Sequence, residues 1–113
     1  SQQERVAAQR MKQMLRFVEE HYAEELSVER IADSVALSES ACLRSFRLLL
    51  GTTPIQYVKQ YRIEKAAELL LSTSMKAGEI GAECGFADTS YFTKSFRELK
   101  HCTPREYRQK FRL

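Results

Sequence analysis

The fold is decided by a stretch that occurs twice in the chain: FRLLLGTTPIQYVKQYR at residues 46–62 and FRELKHCTPREYRQKFR at residues 96–112. The copies agree in phase at seven positions, which are Phe46/Phe96, Arg47/Arg97, Leu49/Leu99, Thr53/Thr103, Pro54/Pro104, Tyr57/Tyr107 and Arg62/Arg112. Unrelated segments of this length share about one residue, so the two stretches indicate an internal repeat. The repeat predicts that one structural device is built twice within 113 residues.

Helix start and stop signals surround the first copy. Ser27 and Ser38 are expected N-caps of two successive helices, VERIADSVA at residues 28–36 and ESACLRSFRLLL at residues 39–50. Gly51 is expected to end the second helix in the left-handed conformation, and Pro54 to begin a long helix that STS at residues 72–74 interrupts. Residues 27–51 therefore predict a helix, a tight turn and a second helix.

The second copy has the same order of signals. A short helix is expected at about residues 76–84, Asp88 caps the next one, and Pro104 begins the last. A first helix at residues 4–22 has an apolar stripe of Met11, Met14, Leu15, Val18 and Tyr22. We find no strand pattern, so the predicted fold class is all-α, with seven helices forming two helix-turn-helix units joined by a long linker helix.

This pattern also predicts the organisation of the chain. Residues 1–53 would form the N-terminal helix and the first unit, residues 54–74 the linker helix, and residues 75–113 the second unit and the C-terminal helix. On the second helix of each unit, a phenylalanine and the residue one turn before it are expected to point inward. These pairs are Cys42/Phe46 and Phe92/Phe96. Leu49 and Leu99 are expected to hold the same helices to the core, and Ile55 to lie on the packed face of the linker helix.

Composition and charge favour a soluble helical protein that binds a polyanion. The chain is 43% hydrophobic and 29% charged, contains four Gly and two Pro, and has a net charge of +3. Residues 40–65 hold five basic and one acidic side chain, and residues 88–113 hold seven basic and three acidic, so each block containing a repeat has a net charge of +4. Such a distribution is typical of two contacts with a polyanion.

Other classes of function lack their motifs. No HExxH, GxSxG, phosphate-binding loop or dinucleotide-binding pattern occurs, so we expect no enzymatic activity, no cofactor and no metal. No apolar run approaches 18 residues, which predicts a cytoplasmic protein without a membrane segment. The cysteines, Cys42, Cys84 and Cys102, have no paired spacing and are expected to be reduced and small apolar residues.

The second helix of a helix-turn-helix unit is the one that enters a DNA major groove. On its outward face we expect base-reading side chains, namely Ser40, Leu43 and Arg44 in the first unit and Thr89, Ser90, Thr93 and Lys94 in the second. Phosphate contacts are expected from Arg47, Tyr91 and Arg97. An alternative reading is a helical protein–protein interaction module that contacts RNA polymerase or another regulator, for which the apolar Leu43 is the supporting residue.

The stretch GFADTSYFTKSFRELKHCTPREYR, residues 85–108, closely resembles the signature of AraC/XylS-type bacterial transcription regulators. The first unit, LSVERIADSVALSESACLRSFR followed by GTTPIQYVKQYRIEKAAELL, is similar to the same family, so that the resemblance covers roughly residues 10–112. The resemblance implies seven helices, two recognition helices in adjacent major-groove segments, and an activator that touches RNA polymerase as well as DNA. It further implies that many relatives carry a separate effector-binding or dimerisation domain, and SQQERVAAQRMKQ at residues 1–13 would suit the end of an interdomain linker.

Several residues depart from the family pattern. His101 occupies a position at which the family has glycine, as the first repeat does with Gly51. Lys76 occupies a position at which a capping Ser or Thr is common. Gly78 and Gly81 are expected to weaken the fifth helix by about 1 kcal/mol each relative to Ala. Together these residues predict a second unit of modest intrinsic stability.

Overall fold

The computed structural model describes residues 1–113 and consists of helices without strands, which confirms the all-α fold class. The helices are α1 (Gln2–His21), α2 (Val28–Asp33), α3 (Glu39–Leu50), α4 (Pro54–Ser72), α5 (Ala77–Glu83), α6 (Thr89–Lys100) and α7 (Pro104–Phe111). None of them combines the length and the apolar character that crossing a membrane would require.

The chain divides into two compact units, residues 1–58 and residues 59–113, and the division falls within α4. The first unit therefore contains α1, α2, α3 and the start of α4, and the second contains the rest of α4 with α5, α6 and α7. The functional division into residues 1–53, 54–74 and 75–113 stays a prediction.

The core of the first unit is built from one face of each of its helices. Met14 and Val18 of α1, Ile31 of α2, and Cys42 and Phe46 of α3 are all completely buried. The Cys42 thiol lies 3.8 Å from the Met14 sulfur, and the Phe46 ring packs edge-on against Tyr57 with centroids 6.1 Å apart. The prediction that Cys42 and Phe46 point inward is thus confirmed.

The tight turns of the two units have the same backbone hydrogen bond. The Leu37 N–H donates to the Ala32 carbonyl over 3.0 Å, and the Phe86 N–H donates to the Gly81 carbonyl over the same distance. The predicted caps are present as well, since the side chains of Ser27, Ser38 and Asp88 accept hydrogen bonds from the first turns of α2, α3 and α6. Lys76 supplies no such bond to α5, as expected for a residue without a side-chain acceptor.

A residue in the left-handed conformation follows the second helix of each unit, α3 and α6. Gly51 after α3 has φ 67°, and His101 after α6 has φ 63°, and each donates its N–H to the carbonyl of the arginine four residues earlier. The expected left-handed conformation of Gly51 is confirmed. A left-handed conformation costs a residue with a side chain about 1–2 kcal/mol, so His101 is a position of strain in the second unit.

One left-handed residue was not expected. Ala36 has φ 55°, whereas the corresponding residue of the second turn is Gly85 with φ 98°. This conformation also explains why α2 ends at Asp33, earlier than the predicted end at residue 36, because left-handed Ala36 cannot continue a right-handed helix.

Replacing Ala36 by Gly is expected to stabilise the first unit by about 1 kcal/mol, because Gly adopts this conformation without a clash of Cβ. Urea unfolding followed by circular dichroism measures the change. The matched control is Ala8→Gly, which makes the same substitution at a helical position of α1. It should lower the free energy of unfolding by about 1 kcal/mol. A loss of stability in both variants would contradict the assignment of strain to Ala36.

The core of the second unit is mainly aromatic. Phe92 and Phe96 of α6 are completely buried, and their rings contact Phe86 and Tyr107 with centroids 5.1 Å and 5.4 Å apart, respectively. Ile80 and Gly81 of α5 are also buried, and Gly81 lies against Phe92. The inward direction of Phe92 and Phe96 is therefore confirmed.

Gly81 corrects one expectation about α5. A Cβ atom at this position would lie 2.6 Å from Cδ2 and 2.8 Å from Cγ of Phe92, which is closer than such atoms can approach. Alanine would therefore not strengthen the helix here, because the close contact of α5 with α6 requires the absence of a side chain. Gly81, the small residue after Ile80, therefore lets α5 and α6 approach closely.

Three other expectations are wrong, two about packing and one about the residue at which the first helix begins. Leu49 is exposed at the end of α3, although its counterpart Leu99 is half-buried. Ile55 is exposed, because the packed face of α4 passes through Val58, and in the second unit through Ile63. The first helix begins at Gln2 rather than residue 4, since the Ser1 hydroxyl accepts a hydrogen bond from the Glu4 N–H and so caps it.

The cysteines are free thiols, as predicted. Burial is the main cause that raises the pKa of the Cys84 thiol to about 11, and burial likewise raises the pKa of the Cys42 thiol. Both thiols are therefore protonated near neutral pH and pack as small apolar side chains, while Cys102 is half-buried.

Candidate nucleic-acid interface

The outward face of α3 presents the side chains that the sequence singled out in the first unit. Ser40, Leu43, Arg44 and Arg47 are all exposed. A shallow groove brings together Leu43, Arg44 and Arg47, and Ser40 lies outside it. The Ser38 cap at the start of this helix and left-handed Gly51 at its end fix its length, and buried Phe46 fixes which face turns outward.

The groove of the first unit includes one residue that the sequence reasoning missed. Leu48 lines it together with the predicted residues, and its side chain is 85% exposed. Helical periodicity would have predicted its position, because Leu48 lies four residues after Arg44 and thus on the same face of α3. The first surface is therefore a basic surface with two apolar side chains, Leu43 and Leu48.

The outward face of α6 has the corresponding surface of the second unit. A groove there is lined by Thr89, Ser90, Thr93, Lys94 and Arg97, all of which were predicted, and by Glu98, which was not. Thr93 is half-buried and the other five are exposed. Glu98 follows Lys94 by four residues, as Leu48 follows Arg44, so the repeat places an acidic residue on the second face where the first has a leucine.

Tyr91 is exposed but lies outside this groove. Its ring packs against Phe86 with centroids 6.0 Å apart, and the Lys59 ammonium lies 5.7 Å from its centroid. Lys59 also forms a salt bridge of 3.0 Å with Glu98. Tyr91 and Glu98 therefore share a cation that α4 contributes, and this contact marks the edge of the second surface.

The four predicted cations of the two surfaces have no carboxylate partner. Arg44, Arg47, Lys94 and Arg97 form no salt bridge, in contrast to Lys59 and Lys100, which are paired with Glu98 and Glu64. Exposed and unpaired cations at matching repeat positions can bind phosphate groups or the acceptor atoms of guanine without first losing an internal partner.

Two further basic side chains of the repeat stretch serve the scaffold. The Arg108 guanidinium donates hydrogen bonds to the Leu70 carbonyl over 2.9 Å and to the Thr73 carbonyl over 3.1 Å. These carbonyls lie at the C-terminal end of α4, where the helix itself provides no donors. Arg112 donates to the Ser74 hydroxyl over 3.4 Å. Arg108 of α7 and Arg112, which directly follows this helix, thus hold α7 to the end of α4.

Residues 31–110 match the model of a helix-turn-helix domain family. A curated relative, the HTH-type transcriptional activator RhaS of Enterobacter sp. (strain 638), is 37% identical over 100 residues, which is 88% of this chain and 36% of the relative. The chain thus spans little more than a third of the length of that relative.

Solved structures have the same fold. A transcriptional regulator from Chromobacterium violaceum, described as an AraC-type DNA-binding domain-containing protein, superposes with a TM-score of 0.87 and 32% identity, over 91% of this chain and 92% of that one. The DNA-binding domain of AdpA, a global transcriptional factor in complex with a target DNA, gives a TM-score of 0.82 and 28% identity, over 87% of this chain and 88% of that one.

Proposed function

Since this chain belongs to the AraC/XylS family of helix-turn-helix transcription regulators, we propose that it binds double-stranded DNA in a sequence-specific manner and regulates transcription in bacteria. The observation that carries the proposal is the repetition of an exposed, basic and unpaired surface, on α3 in the first unit and on α6 in the second. The relative named as an activator and the neighbour solved with its target DNA support it.

In this proposal each of the two surfaces contacts both bases and phosphate groups. Arg44 and Lys94 occupy the same repeat position in the middle of each surface, where they would reach the acceptor atoms of guanine. Arg47 and Arg97 lie one turn nearer the end of each helix and would bind phosphate groups. Ser40, Leu43, Thr89, Ser90 and Thr93 would complete base recognition, and Tyr91 would contact the backbone.

Two finer features belong to the same proposal. Each recognition helix would occupy one major-groove segment, and the adjacency of the two segments stays a prediction. Activation would require a contact with RNA polymerase, and a further domain outside residues 1–113 would bind the effector or dimerise. The protein would act in the cytoplasm, where the nucleoid offers its target.

Selection of bound sequences from a random DNA pool tests the proposal directly. We expect one enriched sequence with two groups of preferred base pairs, one for each recognition helix. Binding without enrichment of any sequence would contradict sequence-specific recognition. Binding that hardly depends on salt would instead favour the protein–protein interaction module, because phosphate contacts release counterions and make affinity salt-dependent.

Replacing Arg44 by Ala is expected to reduce discrimination by about tenfold at the base pairs of one group and to leave the other group unchanged, because one base contact is lost. Competition gel shifts with single base-pair changes in the selected sequence measure this effect. The matched control is Arg47→Ala, which should weaken binding to selected and scrambled duplexes alike, because a phosphate contact carries no sequence information. Unchanged discrimination by Arg44→Ala would contradict its assignment.

A further inference from the structure

The surface of α6 carries an acidic side chain among its cations. Glu98 lines the same groove as Lys94 and Arg97, and its side chain is 49% exposed. A carboxylate on a surface that binds DNA repels phosphate groups. The fold does not require an acid here, because the first unit has exposed Leu48 at the corresponding position. The presence of Glu98 therefore needs an explanation in terms of binding.

The partner of Glu98 comes from α4. The Lys59 ammonium lies 3.0 Å from the Glu98 carboxylate and 5.7 Å from the centroid of the Tyr91 ring, and the Lys59 side chain is only 16% exposed. Both neighbours of the ammonium belong to the outward side of α6. The positive charge of Lys59 is thus located at the edge of the second surface and is already neutralised there.

Resting on the proposed function, we infer that Glu98 is a specificity-determining residue and that it acts by keeping Lys59 away from DNA phosphate. An unpaired ammonium at this edge would add a phosphate contact, and such a contact strengthens binding to every sequence equally. Neutralising it lowers the affinity for unrelated DNA while the base contacts of Lys94 remain. The salt bridge therefore raises the ratio of specific to non-specific binding, which is what determines occupancy of a site in a genome.

The dependence of affinity on salt tests this inference, because its slope counts phosphate contacts. Each additional contact makes the slope of log K against log salt steeper by about 0.9, which is about a threefold greater loss of affinity between 50 and 200 mM salt. Binding of the full chain to a scrambled duplex is measured for the natural protein, Glu98→Gln, Lys59→Met and the double variant. Thermal unfolding of each protein checks that the fold is retained.

We expect Glu98→Gln to bind the scrambled duplex more tightly, with a slope steeper by about 0.9. Adding Lys59→Met to that variant should restore the original slope, whereas Lys59→Met alone should leave the slope almost unchanged, because a paired ammonium contributes no contact. An equal effect of Lys59→Met in both backgrounds would overturn the inference, since it would show that Lys59 acts independently of Glu98.

Glu64→Gln is the matched control. Glu64 lies 2.5 Å from the Lys100 ammonium, so this substitution also removes a carboxylate and frees a lysine of α6, but neither residue lines the groove. If Glu64→Gln steepened the slope as much as Glu98→Gln, net charge alone would explain the effect and the inference would be wrong. Failure of the natural protein to enrich any DNA sequence would instead contradict the proposed function, which keeps the two results distinct.

Discussion

Replacing Gly81 by Ala is expected to destabilise the second unit by about 1–3 kcal/mol, the usual range for overpacking a core. The added Cβ would lie 2.6 Å from the Phe92 ring, and that ring is completely buried, so it could move away only by disturbing a closely packed core. Urea unfolding followed by circular dichroism measures the loss. Amide hydrogen exchange in α5 and α6 would place the loss in this unit.

Gly78→Ala is the control within the same helix. A Cβ atom at Gly78 would have Thr89 Oγ1 at 3.8 Å as its nearest neighbour, an ordinary contact, so Ala should gain about 0.5–1 kcal/mol through its higher helix propensity. Equal stability of the two alanine variants would contradict the packing argument.

A double variant tests the same contact from its other side. The first unit has Ala32 and Cys42 where the second has Gly81 and Phe92. The first unit therefore combines the larger residue on its first helix with the smaller residue on the facing helix, and the second unit has the opposite combination. Combining Gly81→Ala with Phe92→Cys should therefore cost less than the sum of the two single changes. A strictly additive loss would show that the two positions do not share one space.

Replacing Arg108 by Ala is expected to destabilise the second unit by about 2 kcal/mol, because hydrogen bonds from a charged donor to two carbonyls are lost together. The Leu70 and Thr73 carbonyls at the end of α4 would then lack this partner, and α7 would lose two of the hydrogen bonds that hold it to the end of α4. Thermal unfolding is the measurement. Arg108→Lys should recover only part of the loss, since an ammonium cannot reproduce the planar fork of the guanidinium.

Arg105→Ala is the comparison for Arg108→Ala. Arg105 is exposed on the same helix, and its replacement should change stability by less than about 0.5 kcal/mol. The salt dependence of DNA binding should also stay unchanged in Arg108→Ala under conditions where the protein is folded. A shallower slope would contradict the structural role and would make Arg108 a phosphate contact.

The helix order could be read from the sequence because the signals were local. Ser27, Ser38 and Asp88 cap helices at the predicted positions, and Gly51 and Pro54 separate α3 from α4 as expected. Cap residues and prolines act on their own turn of backbone, so no tertiary information is required. The repeat added the second half, since each signal recurred about fifty residues later.

Contacts between helices could not be read in the same way. Gly81 looked like a weak position in α5 because helix propensity does not include the Phe92 ring on the facing helix. Leu49 looked like a core residue because it matches Leu99, but repeat identity does not determine burial at the end of a helix. The strain at Ala36 is also a property of the tertiary turn, which fixes the backbone regardless of the residue.

The candidate site was predictable as far as one helix face determines it. The outward position of Arg44 and Lys94 could be predicted because buried Phe46 and Phe96 define the opposite face of each helix, whereas their contact with bases stays a prediction. Lys59 was not found, since its contact with Glu98 joins residues 39 positions apart. A partner that lies on another helix leaves no periodic signal in the sequence.

The missing side-chain cap of α5 also has a consequence for motion. This helix has seven residues, contains two glycines and is preceded by Lys76, whose side chain forms no capping hydrogen bond, whereas α2 is preceded by a Ser27 cap. Segments with few local hydrogen bonds and a high backbone entropy open at a lower free energy than the whole molecule. Fluctuations of the second unit should therefore start at residues 77–83, and each would uncover the inner side of α6 while its outer side stays intact. The two halves of an internal duplication can thus share the same fold and differ in how often each unfolds locally.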